Sequence, residues 1–382
     1  IGSCLNTPMK ILQVTNYYFP FIGGIEQVTR DCSDALKGEH EVKVFCFNHE
    51  KGDKIDEVDG VEIIRAGCFA KVASQSLSFS YGKLLKKTLR EFAPDVVIFH
   101  YPNPFAAHFL LKHLKRLKNC KLIVWWHLDI TKQKILGKLF KGQNKRLLRR
   151  ADKVVATSPK YIEGSRFLQS VREKCVVIPC CVNDSRMHPD AGVLARTEEL
   201  KKENDGKTVC LAMGRHVPYK GIEYLIRASK LLDENFLVWI GGRGPLTEEL
   251  KALAAGDKKV TFLGRVENDE LVSRILACDI FCFPSITKNE AFGIALAEAM
   301  AYAKPAVTFT IEGSGVNYVS LDGLTGIEVE NRNVAAYAEA IKKLASDAQL
   351  RKTYGENAKR RVEELFTNEK FTQNVNDLLE SL

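Results

Sequence analysis

Short apolar runs alternate with stretches whose apolar residues recur every three or four positions, and this alternation passes along the chain twice. Continuous apolar runs mark strands buried on both faces, whereas the wider spacing marks helices with one buried stripe. In the first half the pattern predicts strands at 11–15, 41–47, 61–65, 95–100, 122–127, 153–157 and 175–178. Helices are predicted between them at 26–36, 83–92, 106–117, 130–149 and 160–169. The second half predicts strands at 208–213, 236–240, 260–262, 280–283 and 306–310, and helices at 222–232, 246–255, 269–277, 292–301 and 335–345. Residues 348–382 read as almost continuous helix. A polar stretch at 183–206, with Pro189 and Gly192 and no strong strand, is read as the link between the halves. Such alternation predicts parallel sheets covered by helices on both faces. The expected fold class is α/β, with two doubly wound, Rossmann-like domains facing across a cleft. Ligands in such sheets bind beyond the carboxyl ends of the strands.

Length and composition agree with that picture. The chain has 382 residues, 45% of them hydrophobic and 27% charged. At about 100–200 residues per domain this suggests two domains, and it excludes wholesale disorder, collagen and coiled coil. No run reaches the ~18 apolar residues of a membrane-spanning helix. Residues 1–8 lack the basic and apolar segments of a secretory leader, so Met9 is read as the start of the fold and the chain as cytoplasmic. The 11 cysteines are odd in number and scattered, with no Cys-x-x-Cys and no histidine at zinc-type spacing. They read as small hydrophobes rather than as a disulfide framework or a metal site.

Charge changes the picture more. Residues 71–150 hold 18 lysines and arginines against three acidic residues, Glu91, Asp95 and Asp129, within a chain of net charge +9. An anionic partner is therefore expected on the first half only. Nucleic acid, an anionic membrane surface and a phosphorylated acceptor all fit the charge. Nucleic acid is the weaker reading, since no binding motif or stacking-aromatic pattern accompanies it.

The strongest chemical signal is the segment from Ser285 to Met300. A strand ending near Phe283-Pro284 hands over to a helix beginning around Phe292, a residue expected on the donor side. The free N–H groups of Gly293 and Ile294 at that helix start would receive a diphosphate, and Gly293 has no side chain to block its approach. Glu298, about two turns on, offers two acceptor oxygens to a ribose diol. Glu290, in the preceding loop, would accept from hydroxyls of a sugar.

This segment closely resembles the signature of two glutamates separated by seven residues in the retaining GT-B glycosyltransferases of family four. Other landmarks of that family follow in order. Gly23-Gly24-Ile25-Glu26 resembles its glycine loop, which approaches a donor phosphate. Trp125-Trp126-His127-Leu128-Asp129-Ile130 resembles its active-site histidine segment, with His127 over the sugar near its 6-hydroxyl and Asp129 orienting the loop or the acceptor. Ser158, in Ala156-Thr157-Ser158-Pro159, would cap the next helix or touch ligand, capping being favoured. Gly214-Arg215 and Lys220-Gly221 resemble the pair that neutralises the departing diphosphate. Gly264-Arg265-Val266 resembles the segment that reads the nucleotide base. The resemblance implies domains at 9–185 on the acceptor side and 186–365 on the donor side, with a terminal helix, 366–382, returning to the first.

Two departures stand out. Cys180-Cys181 occupies a place where the family often has Leu-Gly, which bears on the hinge. Arg243 stands where aspartate is common, and would either add positive charge on the donor side or face solvent. The resemblance implies metal-independent, cofactor-free transfer of a hexose from a nucleoside diphosphate sugar, with retention of configuration, to a saccharide or lipid-linked acceptor. Bacterial polysaccharide, lipopolysaccharide and glycolipid enzymes are the nearest types, with a lean to GDP-mannose and with UDP-hexoses open. Basic residues of 71–150, around Leu136, Leu139 and Phe140, would hold the protein peripherally on the inner face of a membrane. Rival readings are a non-hydrolysing nucleotide-sugar epimerase and a catalytically silent nucleotide-sugar-binding protein.

Overall fold

A computed structural model describes residues 7–21, 23–72, 75–117, 119–130, 134–182, 188–266 and 268–382, with the backbone alone at 72, 75 and 134–139. Cys4, the hinge residue Asn183 and the side chains of Leu136 and Leu139 lie outside the described residues. The chain divides into two compact units. Unit 1 comprises 1–157, 165–178 and 371–382; unit 2 comprises 158–164 and 179–370.

In the first part of the chain the strands are β1 (Lys10–Val14), β2 (Glu41–Phe47), β3 (Lys54–Val58), β4 (Val61–Ala66), β5 (Ala70–Val72), β6 (Gln75–Leu77), β7 (Val96–Tyr101), β8 (Lys121–Trp126), β9 (Lys153–Ala156) and β10 (Cys175–Val177). The helices are α1 (Gly24–Leu36), α2 (Tyr81–Phe92), α3 (Pro104–Leu114), α4 (Lys134–Arg150), α5 (Pro159–Gly164, in unit 2) and α6 (Arg166–Gln169). Eight strands form one sheet in the order β10-β9-β8-β7-β1-β2-β4-β3, while β5 and β6 make a separate hairpin. All pairings in the sheet are parallel except β3 with β4. The inner strand β7 is buried along its whole length, as expected of a sheet covered on both faces.

Unit 2 carries β11 (Thr208–Met213), β12 (Phe236–Gly241), β13 (Val260–Gly264), β14 (Ile280–Phe283), β15 (Ala306–Phe309) and β16 (Gly326–Val329) in the parallel order β13-β12-β11-β14-β15-β16. Its helices are α7 (Ala191–Glu203), α8 (Ile222–Ser229), α9 (Thr247–Leu253), α10 (Asn268–Ala277), α11 (Ile294–Ala301), α12 (Val316–Val319), α13 (Val334–Ser346) and α14 (Ala348–Leu365); α15 (Asn368–Glu380) follows and enters unit 1 at Phe371. Among the parallel strands of each sheet the order reverses once, between β1 and β7 and between β11 and β14. These switch points open the crevices in which doubly wound sheets bind ligands.

The structure departs from the sequence reading in four places. The stretch read as a polar link holds a 13-residue helix, α7, capped by Asp190, whose carboxylate accepts from Val193 N at 2.9 Å. That helix belongs to unit 2, where Arg196 pairs with Glu270 of α10 at 3.2 Å. The chain passes between units at Ile178–Pro179 rather than after residue 185, because Val182 N donates to Phe366 O within unit 2. The helix predicted over 160–169 is two, α5 and α6, broken where Ser165 caps the second through Leu168 N. Strands β3, β5, β6 and β16 were absent from the reading. β3 is a charged, largely exposed antiparallel edge strand, so it has no apolar run to announce it. Among the described residues no helix is long and apolar enough to cross a membrane.

Candidate functional site

In unit 2 the chemistry gathers at the switch between β11 and β14. After β11 the chain runs through Gly214 and Arg215 into a single turn of tight helix at Pro218–Lys220. Gly221 then adopts φ +62°, and a side chain on it would strike the carbonyl of Pro284. That close approach seats the turn against the loop after β14, where Ile286 N donates to Tyr219 O at 2.9 Å. Lys220 is thereby brought to Glu290, and Nζ forms an ion pair with Oε2. Ser285 Oγ donates to the same oxygen at 3.1 Å, and Ser314 Oγ donates to the Glu290 carbonyl. Glu290 Oε1 has no partner among the described residues. Burial alone would push Lys220 toward its neutral form. The charge of Glu290, with help from Tyr219 and the hydrogen bond, outweighs that and raises its pKa above the ordinary lysine value.

The ring of Phe283 joins this pair to the start of α11. Lys220 Nζ lies 5.1 Å from the ring centroid, and a Cβ on Gly293 would come within 3.1 Å of the ring edge. Gly293 caps α11 with φ +95°, a conformation that favours glycine. The first N–H groups of α11, on Ile294 and Ala295, have no carbonyl one turn back in the helix, so they suit an anion. Arg215 is exposed and makes no ion pair among the described residues, whereas Glu298 is half-buried further along α11. Phe292, expected on the donor side, is instead a core residue. It is 4% exposed and meets Phe366 edge-on at 5.3 Å, so only its backbone remains for a ligand.

The ends of β11, β12 and β13 enclose a cavity of about 640 Å³ lined by His216, Arg243, Thr247, Phe262 and Gly264 among others. Arg243 is exposed there, and a Cβ on Gly264 would lie 3.4 Å from its guanidinium. Arg265 is exposed and does not line the cavity. His216, which sequence reasoning passed over, is buried with Nδ1 2.9 Å from Thr247 Oγ1. Burial lowers its pKa, against a hydrogen bond to the Gly241 backbone carbonyl and together with the charge of Lys251.

In unit 1, His127 follows β8 and is buried. Its Nε2 lies 3.0 Å from Nδ1 of His100 at the end of β7, and His100 Nε2 lies 2.8 Å from Gln13 Oε1 on β1. Burial pushes the His127 pKa down to about 3 and, with the repulsion a protonated His127 would add, takes His100 well below the ordinary imidazole value. Asp129 is buried, its Oδ1 accepting from Trp126 Nε1 at 2.9 Å and Ser165 Oγ at 2.8 Å. It therefore orients the loop after β8. Ser158, in unit 2, accepts from Tyr161 N at 3.1 Å, which is the capping geometry of α5. At the start of α1, Gly23 is extended and Gly24 is open, and the Glu26 carboxyl leans into the space a Gly23 side chain would fill. Burial raises the Glu26 pKa, opposed by its own backbone N–H and by Lys71. An anionic ligand at that helix start would meet this carboxyl. The two-histidine relay was missed although its signal was present, since both histidines end predicted strands that a parallel sheet places side by side.

Residues 22–186 match the profile described as Glycosyltransferase Family 4, and residues 196–361 match Glycosyl transferases group 1. O-antigen chain mannosyltransferase C of Escherichia coli is 30% identical over 94% of this chain and 95% of its own length. D-rhamnosyltransferase WbpZ of Pseudomonas aeruginosa is 33% identical over 94% and 92%. The chain belongs to family four of the GT-B glycosyltransferases. Sucrose-phosphate synthase from Thermosynechococcus elongatus shares the fold of this glycosyltransferase, with a TM-score of 0.80, 21% identity and 98% of each chain covered. Within this GT-B enzyme the two signature glutamates differ in setting: Glu290 sits in a buried network, and Glu298 lies half-buried on α11.

Proposed function

We propose that this glycosyltransferase moves a hexose from a nucleoside diphosphate sugar, GDP-mannose ahead of a UDP-hexose, to a hydroxyl of a saccharide or lipid-linked acceptor. Transfer retains the anomeric configuration and uses no metal ion or other cofactor. The observation that carries the reading is the Lys220–Glu290 pair flanking Phe283 opposite the Gly293 helix start. Lys220, Arg215 and the amides of α11 supply positive potential for a leaving diphosphate. Loss of one such contact typically costs on the order of 3 kcal/mol in barrier, about a hundredfold in rate. Glu290 keeps Oε1 for a sugar hydroxyl while Oε2 holds Lys220 and Ser285. Glu298 takes the ribose diol, and the 640 Å³ cavity takes the base side.

The bond between the anomeric carbon and the phosphate oxygen breaks as the acceptor oxygen adds on the same face, and the acceptor proton passes to the departing phosphate. Asp129 is tied to Trp126 and Ser165, and Glu290 to Lys220 and Ser285. Those bonds support same-face substitution over a covalent glycosyl intermediate. The sugars in the names of the two relatives, mannose and rhamnose, support mannose or a related sugar as the group transferred.

The lipid-linked or polysaccharide acceptor belongs to unit 1, held peripherally at the inner face of an anionic membrane by basic residues of 71–150. Helices α3 and α4 support this with a cavity of about 600 Å³ whose lining includes Lys112, Lys115, Arg146, Arg149 and Leu111 and, among the described residues, no acidic one.

The deciding experiment is a thermal-shift survey of GDP-, UDP- and ADP-sugars, followed by nuclear magnetic resonance of the product formed with an acceptor. Stabilisation by one donor and an unchanged anomeric configuration support the reading. A new nucleotide sugar formed without acceptor would replace it with epimerisation, and a glycosyl adduct on Asp129 or Glu290 would overturn the mechanism.

A further inference from the structure

The proton positions in the relay of unit 1 follow from the fixed ends of its hydrogen bonds. Gln13 Nε2 lies 3.2 Å from the carbonyl of Thr29, an oxygen that only accepts, so this atom is the amide nitrogen and Oε1 is the acceptor. The same nitrogen donates to Ser33 Oγ at 2.7 Å, and that hydroxyl spends its own hydrogen on Thr29 O at 3.0 Å. Gln13 Oε1 therefore receives the proton on His100 Nε2, 2.8 Å away. A neutral His100 protonated at Nε2 has a bare Nδ1, and that nitrogen must accept from His127 Nε2 at 3.0 Å. The imidazolium alternative for His100 would need a charge in a site with no exposure, where its ring partners among the described residues, Gln13, Trp125 and a neutral His127, carry no negative charge to balance it. His127 Nδ1 is left with a lone pair and has no partner among the described residues.

We propose that Gln13 and His100 are positioning residues that lock His127 as the neutral tautomer protonated at Nε2, so that Nδ1 acts as a fixed hydrogen-bond acceptor for a sugar hydroxyl. This rests on the reading above that His127 serves the sugar. It assigns His127 a definite job: it orients a hydroxyl by accepting its hydrogen and does not shuttle protons. The backbone of α1, through Thr29, anchors the whole chain of donors, so the helix that follows the first glycine loop also sets the polarity of the histidine. A tautomer held by a buried partner is a stringent device, because the wrong one presents a donor where an acceptor is needed.

The test is long-range proton–nitrogen correlation on histidine-labelled protein, with the His127 signals assigned from a His127→Gln variant. The expected pattern is a protonated Nε2 and an unprotonated Nδ1 that persist from pH 5 to pH 8. A proton on Nδ1, an averaged pair of tautomers, or titration within that range overturns the proposal. In a second arm, Gln13→Glu places a carboxylate against His100 Nε2 and stabilises the imidazolium, whose Nδ1 proton then turns His127 into the opposite tautomer. The expected result is a switched nitrogen signature with transfer reduced roughly tenfold or more and nucleotide affinity unchanged. An unswitched signature in a folded Gln13→Glu protein counts against the relay. A switched signature with full transfer activity supports the relay and instead removes His127 from the sugar.

Discussion

Lys220 and Glu290 form one ionic unit: the ammonium of the first is paired to Oε2 of the second, and Ser285 completes that oxygen's partners. The side chains are 15% and 11% exposed, so neither charge has bulk water to fall back on. Removing one partner strands the other, which is far more damaging than replacing both. Lys220→Met and Glu290→Gln are each expected to lower turnover about a hundredfold. The double variant should lose much less than the product of the two, and kinetics on all four proteins checks this. Fully additive losses would mean that the two residues act independently.

Arg215 is set apart by exposure. Arg215→Ala should weaken binding of a nucleoside diphosphate by about tenfold, more at low than at high salt, while leaving the melting temperature nearly unchanged. Titration calorimetry at two ionic strengths reads the effect, and equal losses at both would point to a cause other than charge.

Gly293→Ala combines a left-handed backbone with a methyl against Phe283. Strain of this kind costs of order 1–3 kcal/mol, so thermal unfolding of the variant should shift down by several degrees. Nucleotide affinity should fall with it, because the amides of Ile294 and Ala295 move. A fully stable variant with intact affinity would remove the helix start from the donor site.

Acid stability has a defined sign. Asp257 is half-buried, which alone would raise its pKa, but hydrogen bonds from Lys259 and Ser229 and the Lys259 charge hold it below the usual carboxylate value. A carboxyl depressed in the folded state stabilises fully above its unfolded value, near 4, and that contribution fades as pH falls through the lower folded value. Urea midpoints measured from pH 6 down to pH 3 should fall in the acid range, and Asp257→Asn should flatten the fall. Asp56 and Asp152, also depressed, add to the same slope.

Charge reversal tests the membrane reading. Lys112→Glu with Arg149→Glu should abolish sedimentation with anionic vesicles at low salt and leave neutral vesicles unaffected. Equal recovery of wild type with neutral and anionic vesicles would end the idea.

Much of this architecture was legible because fully buried parallel strands leave uninterrupted apolar runs: 208–213 and 280–283 were read with the ends that β11 and β14 have. β3 escaped because its sequence, Lys-Ile-Asp-Glu-Val, breaks any apolar run with charges, although Asp59-Gly60, both with positive φ, was a hairpin signal between Val58 and Val61. α7 escaped because only Val193, Thr197 and Leu200 are buried along it, too few to show a period. At the site, glycines and charged residues flanking strand ends were readable. The partnership of Lys220 with Glu290 and the bond of Gln13 with His100 were not, since they join residues 70 or more positions apart by contacts that periodicity does not record.

The route of the polypeptide restricts how nature or an engineer can recombine this scaffold. Because the chain leaves unit 1, dips back at Ser165, departs again after Ile178 and finally brings Phe371, Val375 and Leu378 home to a core that includes Trp125, no single cut yields two self-sufficient halves. A chimera that borrows unit 2 of a relative must be spliced near 178 and again near 371 and must carry the matching 158–164 insert. A simple end-to-end exchange would leave unit 1 with its own closing helix missing.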